Sequence, residues 1–296
     1  KKHMARTTQP SSSDYDYKVV MEDLMTIDGK KSGIKCTRRL DTGAVLSPVT
    51  KDYGICQNAE LFDTVRECLA TMGKDTLGDY KEEIHVVRGG VYGRYTFKDQ
   101  QIKLPQVGDV MGLRLDIHNS FDRSCRIKTQ GGLERLVCLN GMTGTEQDFG
   151  FTKKHSTKLN LDFVKDAIMK AVDAFKLFKN PNNMYTVMAE KDITQEEGLN
   201  ILHNFVKKNV ISEVHREGIA QVWNNPTREA DHARNIYNLL NASTEFLTHH
   251  VSANRFELAH VKTSKVTSRL LKITQDPKAF TQFVEEPKEA ILTVTE

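Results

Sequence analysis

Arg39-Leu-Asp-Thr-Gly-Ala-Val-Leu-Ser-Pro-Val-Thr-Lys-Asp-Tyr-Gly-Ile-Cys-Gln-Asn-Ala-Glu-Leu-Phe-Asp63 is the stretch on which the fold turns. Apolar runs at 33 to 40 and 44 to 50 flank Asp41-Thr-Gly43, and aspartate and glycine tolerate the positive φ of a tight reversal, so the segment predicts a hairpin. A helix follows over 58 to 72. Asn58 is placed to cap it, and Leu61, Phe62, Val65, Cys68 and Leu69 form one stripe.

Working outward, apolar residues between Ile34 and Phe151 recur at period two, with further strands predicted at 83 to 88, 91 to 98, 110 to 118, 124 to 130 and 133 to 140. Arg88-Gly-Gly90, Asn119 to Asp122 and Gln130-Gly-Gly132 supply the turns. Past Lys158 the period becomes 3.6. Leu161, Val164, Ala167, Ile168, Ala171, Val172, Phe175 and Phe178 then share one face of a long helix that Asn160 would cap and Pro181 would end. More helices are predicted at 194 to 209, 212 to 222, 227 to 249 and 264 to 274. Strands first and helices second argue for an α+β protein: an antiparallel β-sheet of hairpins packed on a long helix, followed by a helical C-terminal region. Residues 1 to 17 are polar and expected to be a disordered tail, 18 to 180 a β-rich core domain, and 181 to 296 a helical region packed on that core.

Apolar residues make up 39% of the 296, enough for a sizeable core. No apolar run reaches the roughly 20 residues that span a bilayer, and the first residues lack a secretory apolar block, so a cytoplasmic address and no membrane partner are expected. The five cysteines, Cys36, Cys56, Cys68, Cys125 and Cys138, have no zinc-ligand spacing and read as reduced packing residues. Net charge is +3, too balanced to announce nucleic-acid binding by itself, so placement must decide.

Placement is suggestive. In Met111-Gly-Leu-Arg-Leu-Asp-Ile-His118 the apolar side chains point one way and Arg114, Asp116 and His118 the other. A hairpin partner would set Arg126 and Lys128 beside Arg114. Arg88-Gly-Gly-Val-Tyr-Gly-Arg-Tyr-Thr-Phe97 interleaves cations and rings, with Tyr92 and Arg94 on one side, as single-stranded nucleic acid requires: cations for phosphates, a ring for a base. Lys153-Lys-His-Ser-Thr-Lys158 puts Lys153, Lys154 and Lys158 ahead of the long helix, where its positive end favours phosphate. The plainer alternatives are a solvated sheet face, a hairpin with core tyrosines and a solvated loop. Catalytic signatures are thin: no P-loop, nucleophile elbow, paired-histidine zinc motif or dinucleotide fingerprint is present, and Asp116, His118 and Asp122 are the carboxylate and imidazole groups a nuclease would use.

The opening stretch also resembles the phage/plasmid-like family known as domain of unknown function 932, as do three others. These are Leu115-Asp-Ile-His-Asn-Ser-Phe-Asp-Arg-Ser124, Arg135-Leu-Val-Cys-Leu-Asn-Gly-Met142 and Tyr237-Asn-Leu-Leu-Asn-Ala-Ser-Thr-Glu-Phe-Leu-Thr-His249. Asn119, Ser120, Asp122 and Ser124 form the family's signature turn. Arg123 stands where the pattern has glycine, which predicts an altered turn. The resemblance implies a gene of phage or plasmid origin and assigns no reaction. The element order is also similar, at fold level, to Rad52-type single-strand annealing proteins.

The expected function is therefore a phage-encoded single-stranded-DNA-binding protein, with strand annealing and recombination by a homo-oligomer as its stronger form. Its nucleic-acid contacts would be Arg88, Tyr92, Arg94, Arg114, Arg126, Lys128, Lys153, Lys154 and Lys158, with Phe121 as a second stacking ring. No catalytic residue, cofactor or metal is invoked. The alternatives are a non-enzymatic protein-interaction factor of virion or host-takeover type, and a metal-dependent nuclease.

Overall fold

The computed structural model describes residues 12–72, 77–87, 89–103, 109–135, 140–142, 150–178, 180, 182–249 and 256–285. It is α+β, with antiparallel sheets first and helices gathered in the C-terminal half. The described residues within 1–101, 112–133 and 146–176 make one compact unit, and those within 102–111, 134–145 and 177–296 another.

In the first unit, β1 (Val19–Met25), β2 (Lys31–Arg39) and β3 (Val45–Val49) form an antiparallel sheet in that order. The Asp41-Thr-Gly43 reversal is present: the Arg39 and Ala44 backbones are bonded, and Gly43 takes φ 72°. Sequence periodicity does not reveal β1, because Glu22 and Asp23 interrupt its alternation. Those same residues pin it, Glu22 to Arg38 and Asp23 to Lys31 across the ladder. Helix α1 (Ser12–Tyr15) precedes it. Residues 14 to 17 are not loose here: Tyr15 stands edge-on to Phe62, and Tyr17 packs on Phe121 under the Arg39 guanidinium.

Helix α2 (Asn58–Met72) buries the predicted stripe at Leu61, Phe62, Val65 and Leu69, with Cys68 half-buried. Each large apolar side chain so buried contributes about 1.5–3 kcal/mol. Asn58 does not cap it. Its amide is buried, donating to the Tyr15 carbonyl and accepting from Asn119.

The second sheet runs β4 (Tyr80–Val87), β5 (Gly90–Lys103), β6 (Val110–Ser120), β7 (Ile127–Arg135) and β8 (Asn140–Met142), with β9 (Gly150–Lys153) antiparallel to β7. Gln130-Gly-Gly132 is strand, not turn: β7 passes straight through it, both glycines buried. Glycine within a strand marks close approach as readily as reversal. The long helix, α3 (Asp162–Phe178), buries Phe163, Val164, Ala167, Ile168, Ala171, Val172 and Phe175. Phe163 stacks on Phe151 of β9 at 5.2 Å, which seats the helix against the sheet. Asn160 donates to the Asp162 side chain from outside the helix.

The second unit carries α4 (Met184–Ala189), α5 (Gln195–Lys207), α6 (Glu213–Asn224), α7 (Ile236–His249), α8 (Phe256–Gln275) and α9 (Pro277–Val284). Thr194 and Glu197 close a capping box on α5. The helix expected from 227 begins at Ile236, where the Asn235 side chain accepts from the Asn238 amide. Helix α7 is buried from Ile236 to Thr244, and Asn241 donates to Asn238 and Asp231, the internal polar network that asparagine in mid-helix requires. Among the described residues no helix is long and apolar enough to cross a membrane.

Candidate functional site

The pleat of β5 assigns its side chains to two sides. Gly93 faces α2, where a Cβ would lie 2.5 Å from Phe62 Cε1, so the strand needs glycine there for the helix to approach. Tyr92 and Arg94 therefore face away from α2, paired across the β4 ladder with His85 and Glu83.

On that side the described polar groups converge on one carboxylate. Tyr92 Oη donates to Asp116 Oδ1 at 2.6 Å, and Arg94 Nε donates to Tyr92 Oη at 2.9 Å and to Asp116 Oδ1 at 3.3 Å. Arg114 Nε lies 2.9 Å from Asp116 Oδ2 as an ion pair, yet its N–H is not aimed along that line, so Nε and Nη1 both lack a hydrogen-bond acceptor. Leaving a buried donor unmet costs about 1–3 kcal/mol, more when it is charged. The His118 ring sits 4.6 Å from Tyr92 in edge geometry. Tyr92, Arg114 and Asp116 are each 1% exposed. Burial pushes the Tyr92 phenol well above its ordinary range, only partly opposed by Arg94 and Arg114, so it remains a proton donor. Burial first and Arg94 second depress His85.

These placements alter the sequence reading. Tyr92 and Phe121 present no face to a nucleic base, being inside the protein, and Arg94 and Arg114 are committed to Asp116. Arg88 lies outside the described residues. Alternation along the strands identified the shared side, but not that the side would be covered.

The remaining cations lie at β7, on β9 and in the loop after it. Arg126, Lys153, Lys154 and Lys158 are exposed, and Lys128 is half-buried. In the β7–β9 ladder Ile127 opposes Lys153 and Thr129 opposes Phe151, so Lys153 and Phe151 share one face of the pair while Lys128 and Thr152 take the other; Arg126 lies one residue before the ladder. Phe151 has one face on Phe163. Lys153 Nζ lies 5.3 Å and Lys170 Nζ 5.9 Å from its ring centroid. Arg126, Lys153, Lys154, Lys158 and Lys170 make no ion pair with a described residue; along α3 the pair that forms is Lys176 with Asp173. The basic loop is pinned at its middle. His155 stacks on Tyr53 at 5.0 Å with Nδ1 3.3 Å from the Gly54 carbonyl, and the Thr157 amide donates to Asp52. Burial lowers the His155 pKa, so this anchor is uncharged at neutral pH. Phe151 and Lys170 were missed in sequence because one closes a short edge strand and the other sits on a helix; only the ladder and the packing join them.

The signature turn has a structural role. Asn119 Nδ2 donates to the Cys56 carbonyl at 2.8 Å and to Asn58 Oδ1 at 2.7 Å, Tyr53 donates to the Ser120 carbonyl, and Ser120 Oγ exchanges hydrogen bonds with the Cys125 backbone. Asp122 accepts from the Ser124 amide, and Thr37 donates to the Phe121 carbonyl. The turn thus ties β6 to the 53–58 segment and to β2. Arg123 takes φ 67°, a left-handed conformation that glycine adopts freely and a residue with a side chain seldom does. Asp122 is held in this turn, apart from the Asp116 cluster. Among the described residues no group of three or more His, Cys, Asp or Glu is placed to hold a metal ion.

Together these features define an α+β protein whose turn signature locks a hairpin sheet to the segment leading into α2. A family model, Domain of unknown function (DUF932), matches residues 45–287, and the chain belongs to that family. No curated protein and no solved structure matches the chain.

Proposed function

We propose that the protein binds single-stranded nucleic acid along the β9 edge, with Arg126, Lys153, Lys154, Lys158 and Lys170 neutralising phosphates and Phe151 offering a ring beside them. The observation that carries this reading is the set of exposed cations with no carboxylate partner among the described residues, two of which, Lys153 and Lys170, flank a partly exposed aromatic ring. Helix α3 also exposes Asp162, Asp166 and Asp173, so the basic surface is narrow and the affinity modest. On this reading the chain is a phage-encoded factor acting in the host cytoplasm, and annealing of complementary strands by a homo-oligomer is its stronger form. The test is fluorescence anisotropy of a labelled oligothymidine over a range of salt. Four or five neutralised phosphates give a log–log salt slope of about −3, and a flat salt response, or no binding at micromolar protein, would rule the reading out.

A second reading, a protein-interaction factor, is favoured by the three-stranded sheet. Met25, Ile27, Ile34, Leu40 and Val45 are large apolar side chains left exposed there, and β1 and β2 precede the span that the family model matches. Sedimentation of the full chain discriminates: self-association abolished by Ile27→Ser with Ile34→Ser would support it, and a monomer at all concentrations would leave the sheet without a role in self-assembly.

A further inference from the structure

We infer that a cleft in the second unit, between the end of α6 and one face of α7, binds a small alkylammonium ion. This does not rest on the nucleic-acid reading. Asn238, Ala242 and Glu245 recur at i, i+4 and i+7 and so share a face of α7, while Val222 and Trp223 lie in the last turn of α6 and Pro226 and Asp231 in the connection. These seven residues line a cleft of about 210 Å³ that opens to solvent. Ala242 leaves room there by setting only a methyl group between two longer side chains. Drug-sized sites run to roughly 300–1,000 Å³, so the ligand is a small one.

Its chemistry follows from which hydrogen-bonding groups are already committed. The Trp223 indole N–H donates to the Gln195 carbonyl, and Asn238 Nδ2 donates to the Ala230 and Ala233 carbonyls. No lysine, arginine or histidine is among the described residues that line the cleft. Acceptors remain. Asp231 is 7% exposed and is met by Arg228 at 3.9 Å and by Asn241 at 3.4 Å. Glu245 is half-buried and makes no hydrogen bond or ion pair with a described residue. Asn241, 1% exposed, donates from Nδ2 to the lining residues Asp231 and Asn238, while its Oδ1 has no donor. A carboxylate without a cation, set among Val222, Trp223, Pro226 and Ala242, selects a ligand with a positive charge, several N–H donors and a short carbon tail. A primary alkylammonium has all three.

Trp223 is the chain's single tryptophan, so tryptophan fluorescence reports on the cleft directly. The experiment titrates the full chain with n-butylammonium chloride, with n-butanol as the neutral counterpart and sodium chloride as the ionic control. A saturable change is expected from the amine only, half-complete at about 1–50 mM, since so small a ligand has few atoms with which to gain affinity. Glu245→Gln should weaken binding at least tenfold, and Ala242→Leu should abolish it by filling the cleft. The same saturation with n-butanol would make the cleft merely apolar, and an unchanged midpoint in Glu245→Gln would remove the ion pair; either overturns the proposal, as does the lack of any saturable change. Should Ala242→Leu fail to fold, the comparison of amine with alcohol in the wild-type chain and the Glu245→Gln titration decide.

Discussion

Two regions of the first unit hold their cations in opposite ways. Arg94 and Arg114 lie inside, sharing Asp116 with the Tyr92 hydroxyl, whereas Arg126, Lys153 and Lys154 stand in water with no carboxylate partner among the described residues. An interior cation is a commitment: its desolvation must be offset locally, so its removal or that of its partner registers in stability. An exposed cation costs the fold almost nothing and is free to act on a ligand. The two regions should therefore separate stability from binding.

The largest effect is expected from Asp116→Asn, which keeps shape but strips the shared charge from the buried Arg114 guanidinium and the half-buried Arg94. A loss of about 3–5 kcal/mol in urea unfolding is expected. A loss under 1 kcal/mol would mean that the cluster is hydrated, and the contrast between the regions would fail.

Next, Lys153→Glu combined with Lys154→Glu reverses charge on the exposed edge. Oligonucleotide affinity should fall at least tenfold, about 1.4 kcal/mol, with a shallower salt slope, while stability stays within about 0.5 kcal/mol. Stability loss in this variant, with binding unchanged, would invert the assignment.

How far the sequence carried these distinctions depends on the element. Hairpins, the α2 stripe and the switch to helix after Lys158 were legible because periodicity is local. The side shared by Tyr92, Arg94, Arg114 and Asp116 was legible for the same reason. Its burial was not, since alternation says which way a side chain points and nothing of what lies over it. Strand β1 was hidden because its register is fixed by Glu22 and Asp23 reaching cations on β2. Gln130-Gly-Gly132 misled because glycine serves both reversal and close approach. The β9 edge was half visible: Lys153 and Lys154 came from the basic run, Phe151 and Lys170 only from the packing.

A third cation sharpens the contrast, because Arg123 matters through its backbone. It holds φ 67° at the signature turn, and its guanidinium makes a long contact of 3.4 Å to the Pro48 carbonyl. A left-handed conformation costs a side-chain-bearing residue about 1–2 kcal/mol, and glycine's greater freedom in the unfolded chain returns part of that. Arg123→Gly should therefore stabilise by about 0.5 kcal/mol in urea unfolding. A loss instead would show that the side chain, not the backbone, is what the position holds.

The smallest effect concerns pH and again divides the regions. His85 on β4 has its pKa lowered, chiefly by burial and then by Arg94 on β5, with Lys81 adding to the effect and Glu83 and Asp116 opposing it. Its neutral form is thus the native one, while in the unfolded chain it takes a proton near pH 6.5. Below that pH the unfolded state binds more protons, so the stability this residue contributes is fully present above about pH 6.5 and drains away as pH falls toward the folded value, at no more than about 1.4 kcal/mol per unit for one proton. Urea midpoints measured between about pH 7.5 and 5 should therefore decline for the wild-type chain and decline less for His85→Gln. Lys153→Glu with Lys154→Glu, which leaves the His85 environment untouched, should follow the wild-type curve above about pH 5.5. Equal slopes in wild type and His85→Gln would place the acid sensitivity outside the buried cluster.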